Sequence, residues 1–134
     1  MKYLFFDIEC ANSFDGTGKI CEFGYIVTDQ QFCEMDRGIF IINPRSQYDW
    51  YVLKNMLAYK KETYNSSPDY LHYFNDIKKL FTDNEMLIFG HTTDSDIKYL
   101  NDEITDKMSF EEIVNVFEQM CSIPIEEDMI LFET

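Results

Sequence analysis

The sequence predicts an α/β fold built on a mixed sheet: a three-stranded antiparallel meander followed by β/α alternation. Two observations predict it. Three short apolar, aromatic-rich runs with turn-type connectors occupy the first third of the chain. Beyond residue 67 the apolar spacing changes to the helical period, and short apolar runs then alternate with it.

Lys2 to Ile8 (KYLFFDI) reads as a strand buried on both faces, with its polar residue at the end. Asn12, Ser13, Asp15, Gly16 and Gly18 form a turn-rich connector. Ile20 to Thr28 is a second strand and Gly38 to Ile42 a third, stopped by Asn43-Pro44. Tyr51 to Tyr59 is a short helix. Ser67-Pro68-Asp69 predicts a helix start with Ser67 as N-cap, after which Tyr70, Phe74, Ile77 and Phe81 share one face. Met86 to Gly90 is a fourth strand and Thr93 to Leu100 a further helix. Ser109-x-x-Glu112 is a capping box for a helix carrying Phe110, Ile113, Phe117 and Met120, ended by Pro124. Met129 to Phe132 is a fifth strand. No repeat or linker interrupts the 134 residues, so one domain over 1–134 is expected.

Composition narrows the function. Eleven bases against 25 acids give a formal net charge of −14. That charge opposes binding to a phosphate backbone unless bound cations reverse it locally. Neither a membrane-length apolar run nor a leader is visible, so a cytoplasmic protein with no membrane partner is expected. Cys10, Cys21, Cys33 and Cys121 form no Cys-x2-Cys pair, and His72 and His91 are the only histidines. Reduced buried thiols fit better than a zinc site or a disulfide framework. Gly16-x-Gly18 lacks the third glycine of a dinucleotide site, and there is no Walker-type sequence. Most aromatics fall on core positions. Tyr48, Trp50 and Tyr51 are the exposed exceptions, open either to stacking bases or to core packing.

Two pieces carry chemistry. Asp7-Ile8-Glu9 ends the first strand, and residues two apart on a strand share a face, so both carboxylates project together. Two converging anions call for a hard cation such as Mg²⁺ or Mn²⁺; the alternative is a solvated strand end with two ordinary acids. The second piece, Gly90-His91-Thr92-Thr93-Asp94-Ser95-Asp96, joins the fourth strand to a helix, where sheets of this class hold ligands. Asp96 points back from there, or else closes a capping box with Thr93.

FFDIE at the start and GHTTDSDIKYL near residue 90 together resemble the first two motifs of the DEDD (DnaQ-like) 3′-5′ exonucleases, a family with the ribonuclease-H-like fold. Asn43-Pro44 after the third strand, and Ser67-Pro68 before a helix bearing YFNDIKKLF, fall in the same order. The resemblance spans about residues 2–103. It implies that Asp7, Glu9 and Asp96 are the catalytic carboxylates and bind two Mg²⁺ or Mn²⁺ ions. Asp94 competes with Asp96 but lacks the Asp-x3-Leu spacing to Leu100. It also implies that Cys10, Ala11, Asn12 and His91 bind the 3′ end of single-stranded DNA or RNA. Lys19, Arg45, Lys54, Lys60, Lys61 and Lys98 are the nearest phosphate partners, most of them read as a solvated face.

The family's third motif, His-x4-Asp or Tyr-x3-Asp, has no counterpart after Asp96. Tyr99-x3-Glu103 carries the wrong acid on the wrong helix, and Glu126, Glu127 and Asp128 sit in a turn. No general base is identified. The expectation is a chain truncated before the last helix, diverged, or completed by a partner. Two function classes follow: a metal-dependent exonuclease, intact or impaired, and a catalytically inactive ribonuclease-H-like binding or assembly module. An unrelated acidic α/β domain ranks third. An uncovered sheet face further predicts a homodimer, or a polymerase or repair protein as partner.

Overall fold

The computed structural model describes residues 1–12, 18–83, 85–90 and 93–107. The expected helix from Ser109 and strand at 129–132 lie outside the described residues, as does His91.

Among the described residues four strands form one sheet, β1 (Lys2–Cys10), β2 (Ile20–Thr28), β3 (Glu34–Ile41) and β4 (Met86–Gly90), in the order β3-β2-β1-β4. β1–β2 and β2–β3 are antiparallel, which is the expected meander, and β4 joins β1 in parallel. The helices are α1 (Trp50–Asn55), α2 (Lys61–Asn65), α3 (Tyr70–Thr82) and α4 (Thr93–Lys107).

Alternation along β1 sorts its residues by face. Leu4, Phe6 and Ile8 are buried together with Phe23 and Val27 of β2, Ile88 of β4, Tyr70, Phe74, Ile77 and Phe81 of α3, and Ile97 and Leu100 of α4. The four α3 positions are those the spacing predicts. Phe23 is the hub of this core: its ring meets Phe6, Tyr25, Phe40 and Phe81 at centroid distances of 6.0 to 6.2 Å. Tyr3 and Phe5 face the other way and are half-buried, against Phe32 and Phe89. The expectation of a strand buried on both faces is thus corrected. Among the described residues, α3 and α4 cover the face that carries Leu4, Phe6 and Ile8.

Three boundaries also differ from expectation. β1 runs on to Cys10 and β3 begins at Glu34, because pairing with β2 carries each beyond its apolar run. The helix predicted over Tyr51–Tyr59 ends at Asn55, and Lys61–Asn65 forms a separate turn of helix. Ser67 is not the N-cap of α3. Its hydroxyl donates to the Thr63 carbonyl at 2.7 Å, finishing α2. The chain at 68–69 stays extended because the Asn43 N–H donates to the Pro68 carbonyl at 2.8 Å and Asn43 bridges Asp69. Asp69 becomes the N-cap, with its carboxylate on Arg45.

A second small cluster of Ala11, Cys21 and Tyr64, with Ile41, Tyr48 and Leu57 against it, seats the 44–66 segment on the end of the sheet.

Phe23→Ala is expected to lower the unfolding free energy by about 3–5 kcal/mol through cavity formation. Met35→Ala, on exposed β3, should stay within about 0.5 kcal/mol. Urea unfolding followed by circular dichroism compares the two.

Candidate functional site

β1 and β4 run parallel, with Phe6 opposite Gly90, so their C-terminal ends open on the same edge of the sheet. α4 starts three residues after Gly90 and carries Asp96 in its first turn. At that edge Asp7 and Glu9 project from the same face of β1. Asp7 is exposed and Glu9 half-buried, while Asp96 is only 5% exposed. The β2 partner of Glu9 is Glu22, another buried acid, and like charges placed opposite one another across strands repel. The Glu9 carboxyl is held above its ordinary pKa, first by burial and then by the charges of Asp7, Glu22 and Asp96. Glu9 therefore lies at the electrostatic centre of the three predicted carboxylates. No three His, Cys, Asp or Glu side chains close around one point as a metal cage among the described residues.

The residues after Glu9 are fastened to the protein. The register shifts between Glu9 and Cys10, a bulge that turns the chain out of the ladder. Burial, followed by the charges of Glu103, Asp96 and Glu9, pushes the Cys10 thiol up to about 12. The thiol stays protonated, and its sulfur lies close against Gly18, where a Cβ would stand 3.0 Å from it and 3.1 Å from the Asn12 carbonyl oxygen. The Ala11 N–H donates to the Lys19 carbonyl, and the Ala11 carbonyl accepts the Asp49 N–H, both at 2.8 Å. Asn12 is buried, and its amide donates to Ser46 Oγ at 3.0 Å and to the Gln47 carbonyl. In this structure Ala11 and Asn12 thus hold the 44–49 loop. His91 and the side chain of Asp94 lie outside the described residues.

Two further acids sit at this edge: Glu103, which the sequence sets aside as the wrong acid for a third motif, and Glu22, which it does not single out. Glu103 is 1% exposed, and its Oε1 accepts the Ile20 N–H at 2.8 Å, tying α4 to the start of β2. Glu22 Oε1 accepts the Tyr64 hydroxyl at 2.8 Å, and that hydroxyl accepts the Tyr59 N–H at 3.1 Å. Glu103 stands seven residues after Asp96, on the helix stripe that also buries Leu100. That spacing was the available clue. For Glu22 the clue was an acid inside an apolar strand. Alongside Asp7, an apolar groove of about 490 Å³ crosses β2 past Gly24 to Ile39.

No protein-family model and no curated protein matches the sequence. Solved structures do. E. coli exonuclease I in complex with a dT13 oligonucleotide aligns with a TM-score of 0.64 at 18% identity, over 78% of this chain and 23% of that one. The zinc-ion-bound form of the E. coli exonuclease I–ssDNA complex aligns at 0.65 with 17% identity, over 84% and 26%. The exonuclease I/SSB-Ct complex gives 0.64, 18%, 78% and 24%. The fold is ribonuclease-H-like. The chain spans about a quarter of the length of these exonuclease I chains. Glu9 and the acids whose charges reach it, Asp7, Glu22 and Asp96, lie about the C-terminal end of β1.

Two outcomes test this arrangement. Because Glu9 binds its proton more tightly folded than unfolded, the stability it contributes is present at low pH. It is lost as pH rises through the raised folded value. In EDTA, Glu9→Gln should therefore melt above the wild type at pH 7, and the difference should vanish near about pH 3, below the ordinary glutamate range. Glu103→Leu, which orphans the buried Ile20 N–H, should cost about 1–3 kcal/mol. Glu103→Gln keeps an acceptor oxygen and should cost less, as denaturant titration would read.

Proposed function

We propose that the chain is a 3′-5′ exonuclease-type phosphodiesterase acting on the 3′ end of a single strand of DNA or RNA with two divalent cations. One observation supports this above the others: Glu9 feels the charges of both Asp7 and Asp96 at the end of the central strand, within a ribonuclease-H-like sheet. The donor chemistry fits the cations. All three side chains offer hard carboxylate oxygens, and the burial and mutual repulsion at Glu9 are what a divalent ion offsets. Asp7, Glu9 and Asp96 would hold Mg²⁺ or Mn²⁺, which supply an acidified water and stabilise the leaving oxygen. The chain's own part is positioning. The β1–β4 pairing sets Asp7 and Glu9 at the edge, and the Glu103–Ile20 bond keeps α4, and Asp96 with it, against the sheet. In the reaction a water oxygen bonds to phosphorus and the P–O3′ bond breaks. A 5′-monophosphate leaves, and the shortened strand keeps a 3′ hydroxyl.

A second reading, a binding or assembly module without turnover, draws on two observations. No metal cage closes among the described residues, and no His-x4-Asp or Tyr-x3-Asp follows Asp96 in the sequence.

With a 5′-labelled single strand and Mn²⁺, the proposal expects a ladder of shortened products that EDTA abolishes. Asp7→Ala should slow it by at least about a hundredfold. Calorimetric Mn²⁺ binding without any ladder would select the second reading.

A further inference from the structure

The chain is strongly acidic, yet from Arg45 to Lys61 it carries four bases (Arg45, Lys54, Lys60 and Lys61) and a single acid, Asp49. The Asp49 carboxylate is occupied in capping α1, where it accepts the Val52 N–H at 3.1 Å. Lys54, Lys60 and Lys61 are exposed, and among the described residues no carboxylate pairs with them. Among the described residues, the same segment holds the most exposed large rings outside the β2–β3 turn. Trp50 is 69% and Tyr51 62% exposed, with Tyr59 beside them at 46%. Lysine and ring are interleaved: Lys54 Nζ lies 4.8 Å from the Trp50 ring centroid and Lys61 Nζ 5.6 Å from that of Tyr48. Tyr48 and Tyr59 rest against the buried cluster of Ala11, Cys21 and Tyr64, whereas Trp50 and Tyr51 belong to neither core cluster of the described residues. The patch is also bolted to the acidic edge. The Asp49 N–H donates to the Ala11 carbonyl, two residues beyond Glu9, and Asn12 grips Ser46.

Exposed rings set among unpaired cations, on an otherwise repelling surface, match the chemistry of single-stranded nucleic acid: bases stack on the rings and phosphates meet the ammonium groups. We propose that Trp50 and Tyr51, with Lys54, Lys60 and Lys61, form a platform holding single-stranded DNA on the 5′ side of the scissile linkage. This deepens the exonuclease reading and rests on it for the direction of the strand. The lysines supply locally the attraction that the net charge of −14 denies elsewhere.

Trp50 is the only tryptophan, so its emission reports on the platform alone. The full chain is titrated with a twelve-residue oligothymidylate in EDTA, where no cleavage can occur. Emission should be quenched, and the binding constant should fall with salt on a log–log slope of about −2, for three neutralised phosphates. Fluorescence anisotropy of labelled oligothymidylate should show about tenfold weaker binding for Trp50→Ala, with recovery in Trp50→Phe. The Lys54→Glu/Lys60→Glu/Lys61→Glu variant should lose binding, whereas Asp7→Ala should still be quenched. Quenching without any ladder from the wild type supports the platform and sinks the nuclease reading. A ladder with unchanged Trp50 emission at saturating oligonucleotide overturns the platform and leaves the nuclease reading standing. Neither quenching nor a ladder overturns both. Circular dichroism of each variant separates lost binding from lost fold.

Discussion

Because β4 lies parallel to β1, the two strands expire at the same edge of the sheet, and the helix that follows β4 must begin there. Everything of chemical interest depends on that pairing. An antiparallel partner would send the chain away from the end of β1 and carry Asp96 to the opposite side of the molecule. With the parallel arrangement, a residue some ninety positions from Glu9 in sequence comes within reach of its charge. The Ile20 N–H then anchors α4 through Glu103, so the helix is held along one stripe, by Ile97 and Leu100 in the core and by Glu103 at the start of β2.

The price of the arrangement is visible at Glu9. It faces Glu22 across the ladder, Asp7 on its own strand and Asp96 on α4. A protein built only for stability would place a base or an apolar residue at one of these positions. Local rules are broken in natural folds where a ligand repairs them. The segment from Arg45 to Lys61 breaks the opposite rule, exposing tryptophan and tyrosine among lysines. Both departures stand on either side of the Ala11–Asp49 hydrogen bond.

Much of this was legible in the order of residues. The meander follows from three aromatic-rich runs with short connectors, and the apolar face of α3 from the spacing of Tyr70, Phe74, Ile77 and Phe81, all of which are buried. Asp7 and Glu9 share a face because period two requires it. What could not be read was set by distant partners. Ser67 has the chemistry of an N-cap, but the pull of Asn43 on Pro68 keeps the chain extended for two more residues. Glu22 and Glu103 look like ordinary acids until the fold supplies a tyrosine hydroxyl and a backbone N–H to receive them. The one-sided burial of β1 was hidden because Tyr3 and Phe5 are as apolar as the residues that face the core.

The pairing of Lys2 with Met86 has a kinetic corollary. The β1–β2 and β2–β3 ladders join neighbours in sequence, whereas the Lys2–Asp83 contact beside β4 closes a loop of 81 residues. Closure over such a span comes late for entropic reasons. The meander therefore assembles while Glu9 and Asp96 are still far apart. Their repulsion enters only at the final docking of β4 and α4, after most of the aromatic core is in place to hold them.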